Sequence, residues 1–139
     1  MNFVMTPRNE EGNLVLWEPL PDLPKIDSVD ALMDDWEGFR ILLRATDLTK
    51  PMLRVRFEAA MCYRSMEESY FLNGYGPIPE DWFGKTFFKV EDSSFLSQFH
   101  EISSRVYEDW NITHFGIYAP NDCIDVLATS EPSVEWLES

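Results

Sequence analysis

Four arginines of the same parity stand in two neighbouring segments: Arg40 and Arg44 within Phe39–Ala45, Arg54 and Arg56 within Leu53–Tyr63. A guanidinium presents a planar fork of donors that matches carboxylate and phosphate oxygens. Strands turn every second side chain to the same face. If both segments are strands, the four arginines line one face and form a candidate site for an anion or acidic group. The competing arrangement has the chain's own carboxylates neutralising them.

Those carboxylates are abundant. The 139 residues hold 25 Asp and Glu against 11 Lys and Arg, a net charge of −14. The charge is uneven: residues 1–39 carry −7 and residues 65–139 carry −11, while residues 40–64 carry +4. Such an acidic chain disfavours duplex nucleic acid and anionic membranes as partners. It favours encounter with a basic protein. The candidate partner surface joins Asp30, Asp34 and Asp35 to Tyr75, Glu80, Asp81 and Trp82. Tyr and Trp are frequent interface anchors, and loops on a rigid scaffold often carry function. The alternative for Tyr75 and Trp82 is that their loop folds back and covers a sheet.

Other chemistry is thinly represented. The histidines are His100 and His114, the cysteines Cys62 and Cys123, and no C-x-x-C, H-E-x-x-H or H-x-x-x-H spacing occurs. No metal site or cofactor is therefore expected. A Cys–His nucleophile is also disfavoured. Pairing Tyr118 opposite Cys123 puts His114 opposite Leu127, roughly 13 Å along the strand from Cys123 and beyond hydrogen-bond reach. Adjacent acid pairs such as Glu67-Glu68 and Glu108-Asp109 point in different directions on a regular element. Gly74-Tyr75-Gly76 is followed by Pro77 and lacks the lysine of a phosphate loop. No catalytic residue is assigned. The N-terminus has no secretory pattern and no segment approaches ~18 continuous apolar residues. A cytoplasmic protein with reduced thiols is expected, with a Cys62–Cys123 bridge open if their strands are neighbours.

The elements that must position these residues follow from periodicity and punctuation. Residues 1–26 are irregular and interrupted by Pro7, Pro19, Pro21 and Pro24, with one short strand over Asn13–Trp17. Val29, Leu32, Met33 and Trp36 fall at i, i+3, i+4 and i+7, which predicts a helix over 28–36 capped by Ser28. Phe39–Ala45 and Leu53–Tyr63 alternate as the two strands of a hairpin. With Leu43 opposite Val55, the pairs on the other face become Arg44–Arg54, Leu42–Arg56 and Arg40–Glu58. Ser65-Met66-Glu67-Glu68 reads as a capping box opening a short helix to Leu72. A strand is expected at Thr86–Val90. A longer helix over 93–107 has Phe95, Phe99, Ile102 and Val106 as its buried stripe. A second hairpin joins Ile112–Tyr118 to Cys123–Thr129, and Val134 and Trp136 dock as a last short strand or at a dimer edge.

The expected fold is α+β: one domain over 1–139, with a mostly antiparallel sheet of about five or six strands. The 93–107 helix packs on one face, and two short helices complete it. Three functions fit. The first is a small acidic protein-binding module or inhibitor for a basic partner. In composition alone it is similar to small acidic nuclease inhibitors, including bacterial immunity proteins. The second is a small-anion or ligand-binding domain using the arginine face. An enzyme using Cys123, His114 or a carboxylate ranks third. A homodimer through an exposed strand edge is also compatible.

Overall fold

Alternating apolar and polar side chains dominate the chain, and the computed structural model resolves that alternation into two antiparallel sheets. It describes residues 11–67, 78–120 and 122–138. The strands are β1 (Asn13–Leu16), β2 (Ile26–Asp35), β3 (Gly38–Ala45), β4 (Leu53–Phe57), β5 (Ala60–Met66), β6 (Phe87–Glu91), β7 (Thr113–Ala119), β8 (Asp122–Ala128) and β9 (Ser133–Trp136). Sheet A has the order β1-β6-β7-β8-β5 and sheet B the order β2-β3-β4-β9. One α-helix, α1 (Ser94–Ile102), and a 3-10 turn at Glu80–Trp82 complete the described elements. The class is α+β with mostly antiparallel strands, but there are two sheets where one was expected.

The sheets pack face to face. Phe39, Ile41 and Leu43 of β3 and Leu53, Val55 and Phe57 of β4 meet Phe115 and Ile117 of β7 and Ile124 and Val126 of β8. Phe57 and Phe115 bring ring centroids to 5.6 Å across the layer. Each such side chain contributes roughly 1.5–3 kcal/mol on burial, so this layer dominates the fold. Val134 and Trp136 pack partly buried against the same core from β9.

The segment 28–36 is a strand. The helix-like spacing of Val29 and Leu32 comes from a bulge. Val29 stands opposite Leu43 and Leu32 opposite Ile41, so three steps on β2 match two on β3. An extra residue at a bulge keeps both side chains on the core face and imitates helical periodicity. Ser28 is a strand residue opposite Arg44. Trp36 leaves the pattern and sits at the hairpin tip, 91% exposed. Gly38 ends that turn at φ +104°, a conformation that favours glycine.

Leu53–Tyr63 divides into two strands. The chain bends at Glu58-Ala59, leaving sheet B as β4 and entering sheet A as β5. The first hairpin keeps the expected faces but shifts by two residues: Leu43 pairs with Leu53, Ile41 with Val55 and Phe39 with Phe57. On the other face Arg40 stands opposite Arg56 and Leu42 opposite Arg54. A shift of two preserves the side-chain period, so alternation alone does not separate these registers. Tyr118 pairs with Cys123 and His114 with Leu127, as the spacing predicts. Ser65 and Met66 belong to β5 and do not open a helix. The remainder of that expected helix, from Glu68 to Leu72, lies outside the described residues.

Helix α1 ends at Ile102, short of the expected 107. Ser104 and Arg105 take φ of 55° and 61°, and the Arg105 amide donates to the His100 carbonyl at 2.8 Å. Ser103 Oγ donates to the Phe99 carbonyl at 2.7 Å, a local bond that competes with helix continuation. Only Phe95 of the predicted stripe is buried; Ile102 and Val106 are exposed.

Candidate functional site

The four arginines share the outer face of sheet B, opposite the core. The acids beside them come from both flanking strands and from the β2–β3 tip. Arg40 Nη1 donates to Asp35 Oδ1 at 2.7 Å and lies within 3.9 Å of Glu37 through Nη2. Arg44 pairs with Asp30 at 3.0 Å, and Arg54 with Glu135 of β9. Arg56 donates to the Glu37 carbonyl at 3.1 Å. The Arg40 hydrogen bond and the Glu37 amide hold the Asp35 carboxyl below its usual value; the same Asp35 bond moves Arg40 further up. Three of the four guanidinium groups are thus engaged by the chain's own carboxylates, and repulsion between the facing Arg40 and Arg56 is offset locally.

These pairs also alter the predicted acidic surface. Asp30 and Asp35 serve the arginines, whereas Asp34 stands opposite Phe39, in register with the core-facing side of β3. Glu80 and Asp81 are exposed on the 3-10 turn, and Trp82 packs its ring 6.1 Å from Phe88 on the outer face of sheet A. Trp82 therefore covers a sheet. Asp30 on the outer face of sheet B and the 80–82 turn over sheet A belong to opposite outer layers. Tyr75 lies outside the described residues.

The outer face of sheet A holds a polar network that the sequence reading missed. His114, Gly116 and Tyr118 of β7 share this face with Cys123, Asp125 and Leu127 of β8. His114 Nε2 is 2.6 Å from Asp125 Oδ1, and His114 Nδ1 is 2.6 Å from Ser93 Oγ. Arg64 Nε donates to Asp125 Oδ2 at 2.9 Å and its Nη2 to Glu11 at 2.7 Å. Tyr118 donates its hydroxyl to Asp125 Oδ1 at 2.5 Å. A carboxylate accepts only, so Nε2 carries a proton and donates it to Asp125. Nδ1 is hydrogen-bonded to Ser93, whose oxygen accepts the Leu96 amide at 3.0 Å as the cap of α1.

Electrostatics follow from these contacts. Burial pushes the Asp125 carboxyl up, but His114, Tyr118 and Arg64 outweigh it and leave it below the usual carboxylate range. Burial lowers Arg64, but Glu11 and Asp125 more than reverse this and raise it. The Arg64 guanidinium also lies 4.3 Å over the Phe95 ring. The Ser–His–Asp order has the residue types of a nucleophile, base and orienter. Here the serine is 8% exposed, its oxygen holds a helix amide and the histidine is 1% exposed. The arrangement fastens α1 to sheet A. The signal for it was the parity of His114 and Asp125 together with the correct β7–β8 register, which makes them diagonal neighbours.

Gly116 completes the network by lacking a side chain. A Cβ there would stand 2.5 Å from Tyr118 Cζ, so only glycine lets that ring lie back toward Asp125. No disulfide joins Cys62 to Cys123. Their strands are neighbours, yet Cys123 faces Met66 and Cys62 faces Leu127, four positions apart. Burial pushes the Cys62 thiol up despite Arg64 nearby.

Grooves open at the sandwich edges among the described residues. One of about 630 Å³ lies between the 17–25 and 83–87 segments; its lining mixes Lys25 and Lys85 with Glu18 and Asp22 over Trp17 and Phe87. Another, about 330 Å³, lies between the β2–β3 tip and the β4–β5 crossover. Among the described residues no group of three His, Cys, Asp or Glu comes together to hold a metal, and no helix is long and apolar enough to cross a membrane. No protein-family model, curated protein or solved structure matches the chain.

Proposed function

We propose that this chain is a small acidic binding module of the cytoplasm that docks on, and inhibits or masks, a basic protein. The observation that carries this reading is Trp36. It stands 91% exposed at the β2–β3 apex, beside Asp34, Asp35 and Glu37 in sequence. A tryptophan left in water forgoes the burial that makes it a dominant interface anchor, and a partner surface restores that burial. Carboxylates around it draw a cationic surface and repel nucleic acid. The contact region is therefore the β2–β3 tip with Asp34. Glu80, Asp81 and Trp82 belong to a separate region, and Asp30 and Asp35 hold arginines.

The anion-binding alternative ranks below this because Arg40, Arg44 and Arg54 are paired with the chain's own acids. An incoming anion would have to displace those carboxylates.

Affinity capture at low salt tests the proposal, with the whole chain and its Trp36→Ala variant as parallel baits. The expected result is a basic protein retained by the first, depleted on the second and released by salt. Recovery of no basic protein at low salt overturns it.

A further inference from the structure

The groove at the β4–β5 crossover differs from the one between the 17–25 and 83–87 segments in one respect: its charges are of one sign. Its lining is Asp34, Gly38, Phe39, Phe57, Glu58, Ala60, Met61, Cys62 and Tyr63, with no Lys, Arg or His. We propose that this groove receives one arginine or lysine side chain of the basic partner, an inference that rests on the binding-module reading above and specifies its recognition element.

Three observations converge on a cationic occupant. First, the arginine face draws Asp30, Asp35 and Glu135 into ion pairs, yet neither Asp34 nor Glu58 has a side-chain partner among the described residues. Asp34 belongs to β2 and Glu58 to the crossover between β4 and β5, and both line the groove because the chain changes sheets there. Second, the wall is aromatic. Tyr63 is 39% exposed, and its ring is braced against Phe39 at a centroid distance of 4.4 Å. A ring face held in place attracts a guanidinium or ammonium, and more strongly as water is excluded. Third, the size suits a side chain. At about 330 Å³ the groove is at the small end of the ~300–1,000 Å³ range of ligand pockets. An apolar stem would lie along Met61 and Phe57 while the cation reaches the carboxylates. Gly38 and Asp34, both in the lining, flank the hairpin tip that carries Trp36, so anchor and groove are close enough for one partner to engage both.

The test titrates the whole chain with N-acetyl-arginine amide and, separately, with uncharged N-acetyl-norleucine amide, followed by NMR. The expected result is saturable shifts at Tyr63, Phe39 and Glu58 with the arginine compound only. The Asp34→Asn/Glu58→Gln variant should weaken binding by about tenfold or more, the scale of a lost charge-assisted hydrogen bond. Equal response to both compounds in the wild-type chain overturns the inference without reference to any variant. So does undiminished arginine binding by the folded double variant. Using that variant as a bait in the capture experiment separates the two claims. A basic protein held equally by both baits overturns the groove and leaves the binding module standing; no basic protein on either bait overturns the module.

Discussion

The two outer faces of this sandwich use the same chemistry in opposite surroundings. On sheet B, Arg44–Asp30 and Arg54–Glu135 cross between strands in contact with water, with side chains roughly a third to a half exposed. On sheet A, Arg64 and His114 converge on Asp125, whose side chain is 2% exposed. Exposed pairs exchange one well-solvated state for another, so their net contribution is small and falls with salt. A buried carboxylate has no water to return to. It holds its donors in one geometry, and removing it leaves their charge and hydrogen bonds stranded. These two exposed pairs therefore contribute neutrality and solubility, whereas the buried network selects how α1, β5, β7 and β8 meet.

Several substitutions break or sharpen that contrast. Asp125→Ala has the largest expected effect: it removes the acceptor shared by Arg64, His114 and Tyr118 from a buried site and should cost about 3–5 kcal/mol in urea unfolding. A cost no greater than that of an exposed pair would remove the distinction between the faces. Gly116→Ala should come next, at about 1–3 kcal/mol, because the new methyl displaces the Tyr118 ring from Asp125. Ser93→Ala removes the α1 cap and the hydrogen bond to His114; about 1 kcal/mol is expected, read as loss of helical circular dichroism before global unfolding.

Acid titration addresses the same carboxylate from another side. The folded Asp125 carboxyl lies below its unfolded value. Its stabilising contribution is therefore fully present above the ordinary aspartate range near pH ~3.9 and is lost as pH falls through that range and below. Stability of the wild-type chain should decline there more steeply than that of Asp125→Asn, measured by denaturant midpoints. Smallest is the Arg54–Glu135 pair. A double-mutant cycle should return about 0–1 kcal/mol and approach zero in high salt.

Much of the architecture was legible where side-chain period and burial agree. Ile41, Leu43, Val55 and Phe57 alternate with arginines, and the core is built from them. The β7–β8 register was readable because the two alternating segments are joined by few residues. Legibility failed where a local pattern had two physical causes. The spacing of Val29 and Leu32 fits a helix face or a bulged strand, and only the partner strand β3 distinguishes them. Phe95, Phe99, Ile102 and Val106 carry a helical stripe past Ser103, but the serines end the helix through local hydrogen bonds that hydrophobic spacing does not register.

The candidate site divides in the same way. Composition and parity alone determined that the four arginines share one face, that carboxylates were plentiful enough to neutralise them, and that Cys123 and His114 were too far apart to act together. Only the tertiary structure decided which acids do the neutralising, because Asp30, Asp35 and Glu135 come from strands that become neighbours after the hairpin is flanked by β2 and β9. It also decided that Asp34 and Glu58 face one groove and that Ser93, Arg64 and Asp125 meet at His114. Alternation along a strand is a local consequence of backbone geometry. Which strands lie side by side, and where the chain changes sheets, follows from burying all the apolar faces at once.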